Sequence, residues 1–398
     1  MDALSINPQL IIQLFFWGTF IACVLLYLTY SGSNNCNKLL NKKSSVPALL
    51  MTIVWIILIG LRPVWYGFGD TVNYARTYSN TLPVYSTIDF HSEWFFSLFR
   101  VWCRSMGFTV NVFFLLIEIG YLGFMYWAYK KALWENVWLA MLFALSAYSV
   151  FTYGVNGLRN GLACSMVTLA VVFAAKDRNF VVAGVLCFLA MGIHKSTLLP
   201  IAALIVATFF IKKLKTALLF WLASFFLSLW AGGTISSIFM GLGFDDRTDA
   251  YLSGDNLKYG NFSSEGFRWD FLLYSTIPVL LIWYIQRKIG QRHAEIGGLS
   301  QEEEESGVYG AGIMADAVSM RVFNTIAIVY LLSNSFWIMV IRASFSNRFA
   351  YLSWFIYPLV LAYGVIRLHI WKDQDRKAAI ILLGHAGFTI LMYVLGKM

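Results

Sequence analysis

The chain predicts an all-α protein that crosses a membrane many times, and three observations carry that prediction. Of its 398 residues, 59% are hydrophobic and 13% charged, against about 25% charged residues in an ordinary soluble domain. Apolar stretches of roughly 20 residues, the length a helix needs to cross the hydrocarbon core, recur from one end to the other. Between them no segment is large enough to form a soluble domain, so 1–398 reads as a single transmembrane domain. Any active site must then be built from loops and helix ends.

The apolar runs predict about twelve helices, near residues 9–30, 47–66, 109–129, 137–153, 159–175, 179–193, 196–211, 217–239, 270–286, 322–341, 349–366 and 378–396. Ahead of the first, MDALSINPQL carries an acid and no base. A signal peptide has a positive n-region, so this start predicts an uncleaved first helix. Trp65 and Tyr66 at the end of the second run, and Trp354 and Tyr357 in the eleventh, suit an interfacial aromatic belt. The first outer loop, 67–108, contains the aromatic-rich run SEWFF and predicts a half helix there. A second long outer loop covers 240–269. The loop 287–320, with EEEE at Glu302–Glu305 and several glycines, reads as a solvated, flexible linker on the cytoplasmic side.

Orientation follows from the basic residues, because Lys and Arg gather in cytoplasmic loops. With the N-terminus outside, the inner loops receive Lys38, Lys42 and Lys43; Lys130 and Lys131; Lys176 and Arg178; and Lys212, Lys213 and Lys215. Further along they receive Arg287, Lys288 and Arg292; Arg321; and Arg367, Lys372, Arg376 and Lys377. These are well over half of the 30 basic residues. The same placement accounts for the formal charge of +9 without nucleic acid, since no basic tract interleaved with aromatics lies outside the spans. Neither G-x-x-x-x-G-K-[ST] nor G-x-G-x-x-G occurs, so the usual nucleotide sites are not expected. Five cysteines (Cys23, Cys36, Cys103, Cys164, Cys187) lack C-x-x-C spacing, and three lie in apolar runs, where packing is the expected role.

The outward face is where polar residues gather in specific company. The first outer loop begins RPVWYGFGDTVNYARTY, with Arg62, Asp70 and Tyr74, and runs on to HSEWFF, with Glu93. Next come GVNGLRNGLA, with Asn156, Arg159 and Asn160 at a helix head, and the pair His194–Lys195 between two apolar runs. The last is RASFSNRFAY, with Arg342, Arg348 and Tyr351. Ionisable groups near membrane depth are costly and tend to line a site or cavity. Taken singly, Arg62, Lys195 and Arg342 have a plainer reading as side chains that snorkel to the interface, and Asp70 as a turn or cap residue. Arg159 resists it. It opens an apolar helix, where the dipole favours an anion over a cation, and a bound anion shared by guanidinium and free N–H groups would explain it. His194 beside Lys195 should resist protonation, which keeps imidazole available as a base.

Arginines suit phosphate or pyrophosphate, whose oxygens pair with the planar fork, and a carboxylate or imidazole nearby suits deprotonation of a hydroxyl. On the outer side of a cytoplasmic membrane the sugar donor expected is one linked to a lipid pyrophosphate. The set therefore points to glycosyl transfer from a polyprenyl-pyrophosphate glycan. Two other classes compete. A flippase or exporter of lipid-linked sugars accounts for many helices and a basic cavity, but is expected to place charges at the midplane, where Glu118 is the exception found, and often shows repeats. A membrane O-acyltransferase needs an intramembrane histidine, for which His385 is the candidate.

The chain resembles the EpsG family of bacterial exopolysaccharide proteins, relatives of the Wzy-type O-antigen and capsule polymerases. The resemblance rests on the order of short motifs. Gly60-Leu61-Arg62 leads into Gly69–Asp70 and Asn73–Tyr74, and Glu93 precedes its aromatic run. Asn156-Gly-Leu-Arg159-Asn160-Gly-Leu-Ala163 stands for the family's N-x-x-R-Q-x-x-A, with Asn160 in place of the usual glutamine. His194-Lys-Ser196 and Arg348-Phe-Ala-Tyr351 complete the series.

The resemblance implies a GT-C-like integral membrane glycosyltransferase of the bacterial cytoplasmic membrane, with its catalytic loops facing outward. Its substrates are expected to be undecaprenyl-pyrophosphate-linked oligosaccharides, among membrane lipids, with flippase and chain-length regulator proteins as partners. No cofactor or metal is expected, because arginines carry the pyrophosphate charge. The catalytic candidates are Asp70, His194 and Arg159, Asp70 being favoured slightly over His194 as base. Arg62, Tyr74, Glu93, Asn156, Lys195, Arg342, Arg348 and Tyr351 are expected to bind or orient substrate.

Overall fold

A computed structural model describes residues 6–31, 39–40, 42–85, 87–240, 267–296, 317–343, 346–368, 370–371 and 373–396. The described regular elements are helices. In chain order they are α1 (Pro8–Ser31), α2 (Val46–Gly60), α3 (Thr71–Ser79), α4 (Trp94–Ser105), α5 (Val110–Ala132), α6 (Val137–Leu145), α7 (Val150–Val155) and α8 (Leu158–Val172). Then follow α9 (Phe180–Ile193), α10 (Leu198–Ile205), α11 (Leu214–Met240), α12 (Trp269–Ile296), α13 (Ala317–Met339), α14 (Ser346–Trp354), α15 (Tyr357–Ile366) and α16 (Gln374–Val394).

Among the described residues, six helical stretches are long and apolar enough to cross a membrane, and five further apolar helices are shorter. This is therefore a membrane-embedded chain, helical in its described residues, in which several of the predicted runs are interrupted or end early. The predicted run 137–153 breaks between Leu145 and Val150, and 349–366 breaks between Trp354 and Tyr357. The second run stops at Gly60 rather than reaching residue 66. Runs near 175 and 208 end in π-helical turns, Phe173–Asp177 and Val206–Phe210. Apolar composition does not reveal such breaks, because the groups that accommodate them come from elsewhere in the fold. At the α6–α7 break, the Ser146 hydroxyl donates to the Phe143 carbonyl at 3.2 Å, and Thr389 donates to the Ser146 carbonyl at 2.8 Å.

The predicted half helix in 67–108 is two helices, α3 and α4. Residues 287–296, expected as linker, continue α12, and α13 already begins at Ala317. Most of the loops 240–269 and 287–320, and Cys36, lie outside the described residues.

The chain divides into two compact units. Unit 1 is Met1–Leu198, Tyr309–Val322 and Leu361–Met398, and unit 2 is Leu199–Val308 and Phe323–Val360. In unit 1, α8 is the central element, packed against α5 and α9, while α5 also packs on α2 and α4 on α9. Fourteen of the 15 residues of α8 are buried, and the exception is Arg159. Start signals are local. Thr109 accepts the Val112 N–H at 3.4 Å to cap α5, and Asn179 accepts that of Val182 at 3.1 Å to cap α9. On α1 the spacing Leu10, Leu14, Ile21, Leu25, Leu28 leaves one apolar stripe exposed while Ile11, Phe15 and Cys23 are buried. A soluble protein would cover such a face, and a bilayer covers this one with lipid.

Unit 2 has a polar seam through its apolar core. Asn334, with no exposed surface, accepts from Trp221 Nε1 at 2.8 Å and donates to the Ser353 hydroxyl at 3.0 Å. Trp354 Nε1 donates to the Ser275 hydroxyl at 2.7 Å, and Tyr357 stacks on Tyr274. Trp354 and Tyr357 are thus fully buried core residues rather than members of an interfacial belt, whereas Tyr66 is exposed.

Candidate functional site

Glu93 is the residue on which the site of unit 1 converges. It stands immediately before α4, at the N-cap position, but gives no side-chain hydrogen bond to the helix it heads. Its two oxygens are used elsewhere. One forms the ion pair with Arg159 Nη1, and the other meets His194 Nδ1 at 2.5 Å. Three chain segments far apart in sequence therefore meet on one carboxylate.

Each partner is placed by its own local structure. Arg159 lies in the first turn of α8, whose N-cap is Gly157, a residue with no side chain to cap the helix. The orphan N–H end of a buried helix is thus left beside the guanidinium. Arg159 Nε donates to the Tyr74 hydroxyl at 3.3 Å, and its guanidinium lies 5.8 Å from the Tyr74 ring and 5.9 Å from the Phe96 ring. His194 ends α9 in an extended conformation (φ −151°, ψ 112°), which turns its ring out of the helix toward α4. The approach of the two elements needs Gly192. A Cβ there would lie 2.6 Å from Trp94 Cε2 and 2.9 Å from Phe95 Cβ.

The electrostatics follow from this count of charges. One carboxylate balances one guanidinium, so a protonated His194 or the neighbouring Lys195 tips the cluster positive. Arg159, Glu93 and His194 keep 24%, 21% and 26% of their side-chain surface, so the cluster is partly shielded yet open to a ligand. An ionised carboxylate only accepts hydrogen bonds, so His194 donates from Nδ1 and its basic nitrogen is Nε2.

Asp70 and Asn156 form a second pair beside it. The Asp70 N–H donates to Asn156 Oδ1 at 2.9 Å, and the Asp70 carboxylate accepts from Asn73 Nδ2 at 3.1 Å. Asp70 occupies the N-cap position of α3 without making a side-chain cap bond. Gly69 before it has φ +61°, and a Cβ at that position would sit 2.5 Å from Asn156 Oδ1, so both backbone angle and space require glycine.

Arg62 is different from the role its motif predicts. Its side chain has no exposed surface. It donates to the Ile59 carbonyl at 2.7 Å and to the Thr71 hydroxyl at 3.3 and 3.2 Å, lies 4.0 Å from Glu118, and covers the Phe114 ring. A side chain enclosed in this way supports the fold from inside rather than meeting substrate. Lys195 is half-buried in the turn Lys195–Thr197 that follows His194. Arg342, Arg348 and Tyr351 belong to unit 2. There Arg342 donates to the Ser228 carbonyl at 2.5 Å and lies over the Phe267 ring, Arg348 is exposed, and Tyr351 is buried against Trp354.

Unit 1 thus brings together Tyr74, Glu93, Arg159 and His194, with Asp70 and Asn156 joined next to them. Sequence reading missed Phe96, Thr71 and Gly192. Phe96 follows Glu93 by three positions on α4, and that spacing was the available signal. Among the described residues, no group of three or more His, Cys, Asp or Glu side chains is placed to hold a metal ion.

Comparison with curated proteins finds no match, and comparison with solved structures finds none either. A family model does match, over residues 47–396, which takes in every residue of the cluster. With its apolar helices and this match over nearly its whole length, the chain belongs to the EpsG family and is a membrane protein of polysaccharide biosynthesis.

Proposed function

We propose that the protein is a polysaccharide polymerase acting at the outer face of the bacterial cytoplasmic membrane. It transfers a glycan from its polyprenyl-pyrophosphate carrier to a hydroxyl of a second lipid-linked repeat unit. The observation that carries this reading is the single carboxylate of Glu93 holding a guanidinium and an imidazole together at the head of α8.

The reaction forms a bond from the acceptor oxygen to the anomeric carbon and breaks the bond from that carbon to the pyrophosphate oxygen. His194 Nε2 takes the acceptor proton, with Glu93 fixing its tautomer and orientation. Arg159 meets the negative charge that grows on the departing pyrophosphate, and Tyr74 and Phe96 hold the guanidinium plane. The Glu93–His194 contact favours His194 over Asp70 as base, since Asp70 has its backbone and carboxylate engaged by Asn156 and Asn73. Arg348 of unit 2 is proposed to bind substrate. The outward orientation rests on the distribution of basic residues, and GT-C-like architecture on the family resemblance.

The test uses cells deleted for the gene and complemented with wild type or Arg159→Ala. Polyprenyl-pyrophosphate glycans are extracted and sized, and the membrane face on which they accumulate is determined. Single repeat units on the outer face, with polymer restored by wild type alone, are the expected result. The same units trapped on the inner face would make the protein a flippase. An unchanged glycan ladder would remove both readings. The acyltransferase reading draws on His385, but that ring is 2% exposed and faces the Ser146 hydroxyl at 3.1 Å in the helix break, a packed position.

A further inference from the structure

We propose that Thr71 is a positioning residue for the site, and that the buried Arg62 side chain is what holds Thr71 in place. This rests on the polymerase reading only for the catalytic consequence, and the geometry stands apart from it. The Thr71 hydroxyl is a junction. It accepts from Arg62 Nε at 3.3 Å and Nη2 at 3.2 Å, and donates to the Val155 carbonyl at 2.6 Å. Thr71, Arg62 and Glu118 are all without exposed surface.

What the junction joins is the point. Thr71 is the first residue of α3, directly after Asp70, and Val155 is the last residue of α7, directly before Asn156. The bond between Thr71 and Val155 therefore sets the spacing at which the Asp70 N–H meets Asn156 Oδ1. Arg159 follows Asn156 by three residues, and Tyr74 follows Thr71 by three, so the two side chains that meet at 3.3 Å extend from the same two anchored segments. Arg62 carries its end of the chain back to the C-terminus of α2 through the Ile59 carbonyl, and to α5 through Glu118. Gly154 lets the Glu118 carboxylate approach α7, since a Cβ there would lie 3.3 Å from Oε2 and 3.1 Å from Ile59 Cγ2. A fork that donates twice to one hydroxyl fixes its orientation, which a lysine at position 62 could not do. The hydroxyl's proton is then directed to Val155.

The experiment compares Thr71→Val, which keeps the shape and removes the hydroxyl, with Thr71→Ser, which keeps the hydroxyl. Purified full-length protein in detergent is assayed for polymer formation from lipid-linked repeat units. The same samples undergo hydrogen–deuterium exchange, read on peptides covering 66–79 and 150–165. In Thr71→Val, kcat is expected to fall on the order of a hundredfold with KM nearly unchanged, because reacting groups are displaced rather than removed. Exchange should rise at the Asp70 and Asn156 segments and not elsewhere. Thr71→Ser should restore both. If Thr71→Val fails to accumulate, Thr71→Ala replaces it.

Wild-type turnover or wild-type exchange in the hydroxyl-free variant would overturn the proposal, as would exchange rising over the whole chain. If wild type itself makes no polymer, the polymerase reading fails, while localised exchange still reports on the junction.

Discussion

Glu93 and Arg159, 66 positions apart, form an ion pair at the meeting of α4 and α8. The pairing answers why a central, buried helix begins with a cation, which its dipole disfavours. A fixed counter-charge holds the guanidinium in a set orientation while a quarter of its surface stays open. The second oxygen of the same glutamate reaches His194, so the residue that restrains the proposed anion-binding group also orients the proposed base.

That sharing makes Glu93→Gln informative. The amide keeps the shape but loses the charge, and can present only one accepting oxygen to two donors. The expected outcome is a drop in polymer formation on the order of a hundredfold, comparable to losing one charge-stabilising donor. Sizing of lipid-linked glycans from complemented cells measures it. A glutamine variant with wild-type ladders would mean that neither Arg159 nor His194 depends on this carboxylate.

Arg159→Lys distinguishes positive charge from fork geometry. Lysine restores the charge but cannot engage Glu93, the Tyr74 hydroxyl and a phosphate oxygen from one plane. Polymer formation should fall nearly as far as in Arg159→Ala. An active lysine variant would withdraw the assignment of pyrophosphate to this residue.

Much of this cluster was legible in the sequence, for a physical reason. Arg159 at a helix head and His194 between apolar runs each violate the local expectation for a membrane helix, and violations are visible in one dimension. Their partner was less so, because Glu93 lies in a loop where a carboxylate breaks no rule. Arg62 was misread because a charge after an apolar run has the same sequence signature whether it snorkels outward or folds inward. Only the position of Glu118 and Thr71 in space separates the two. Trp354 and Tyr357 were misplaced similarly. The run 349–366 is apolar throughout, and nothing in its composition shows that it breaks at residues 355–356 and turns its rings onto Ser275 and Tyr274.

Arg62 carries a prediction about stability. Its fully buried guanidinium donates to the Thr71 hydroxyl through Nε and Nη2 and to the Ile59 carbonyl through Nη1. Arg62→Met keeps an apolar side chain over Phe114 but leaves the buried Thr71 hydroxyl without its donors, a loss that typically costs about 1–3 kcal/mol. Thermal unfolding in detergent should show Arg62→Met below wild type, and the variant should be poorly active because Thr71 loses its donor. An Arg62→Met protein as stable as wild type would mean that these hydrogen bonds do not hold the fold.

Chelation tests the charge assignment from the other side. Arg159 is proposed to supply the positive charge that a divalent ion otherwise supplies to a leaving pyrophosphate. Polymer formation by the purified protein should survive an excess of chelator with little change in rate. Activity abolished by chelation and restored by a divalent cation would show that guanidinium alone does not carry that charge.

Gly192→Ala separates the geometry of the site from its chemistry, because it leaves every polar group in place. The added Cβ would fall 2.6 Å from Trp94 Cε2 and 2.7 Å from its Nε1, well inside contact distance. Trp94 is held by Phe90, Phe95 and Phe188, whose ring centroids lie 5.3, 5.4 and 5.4 Å away, so the indole has little freedom to retreat. Relief must come from a shift of α4 away from the end of α9. Glu93 stands one residue before Trp94 and His194 two residues after Gly192, so that shift lengthens the 2.5 Å contact between them. Overpacking of this kind costs about 1–3 kcal/mol, and a displacement of about 1 Å at reacting groups is enough for a large loss in rate. The expected result is a variant that accumulates in the membrane but forms little polymer. Full activity in Gly192→Ala would show that the close approach of α4 and α9 is not what sets the Glu93–His194 contact.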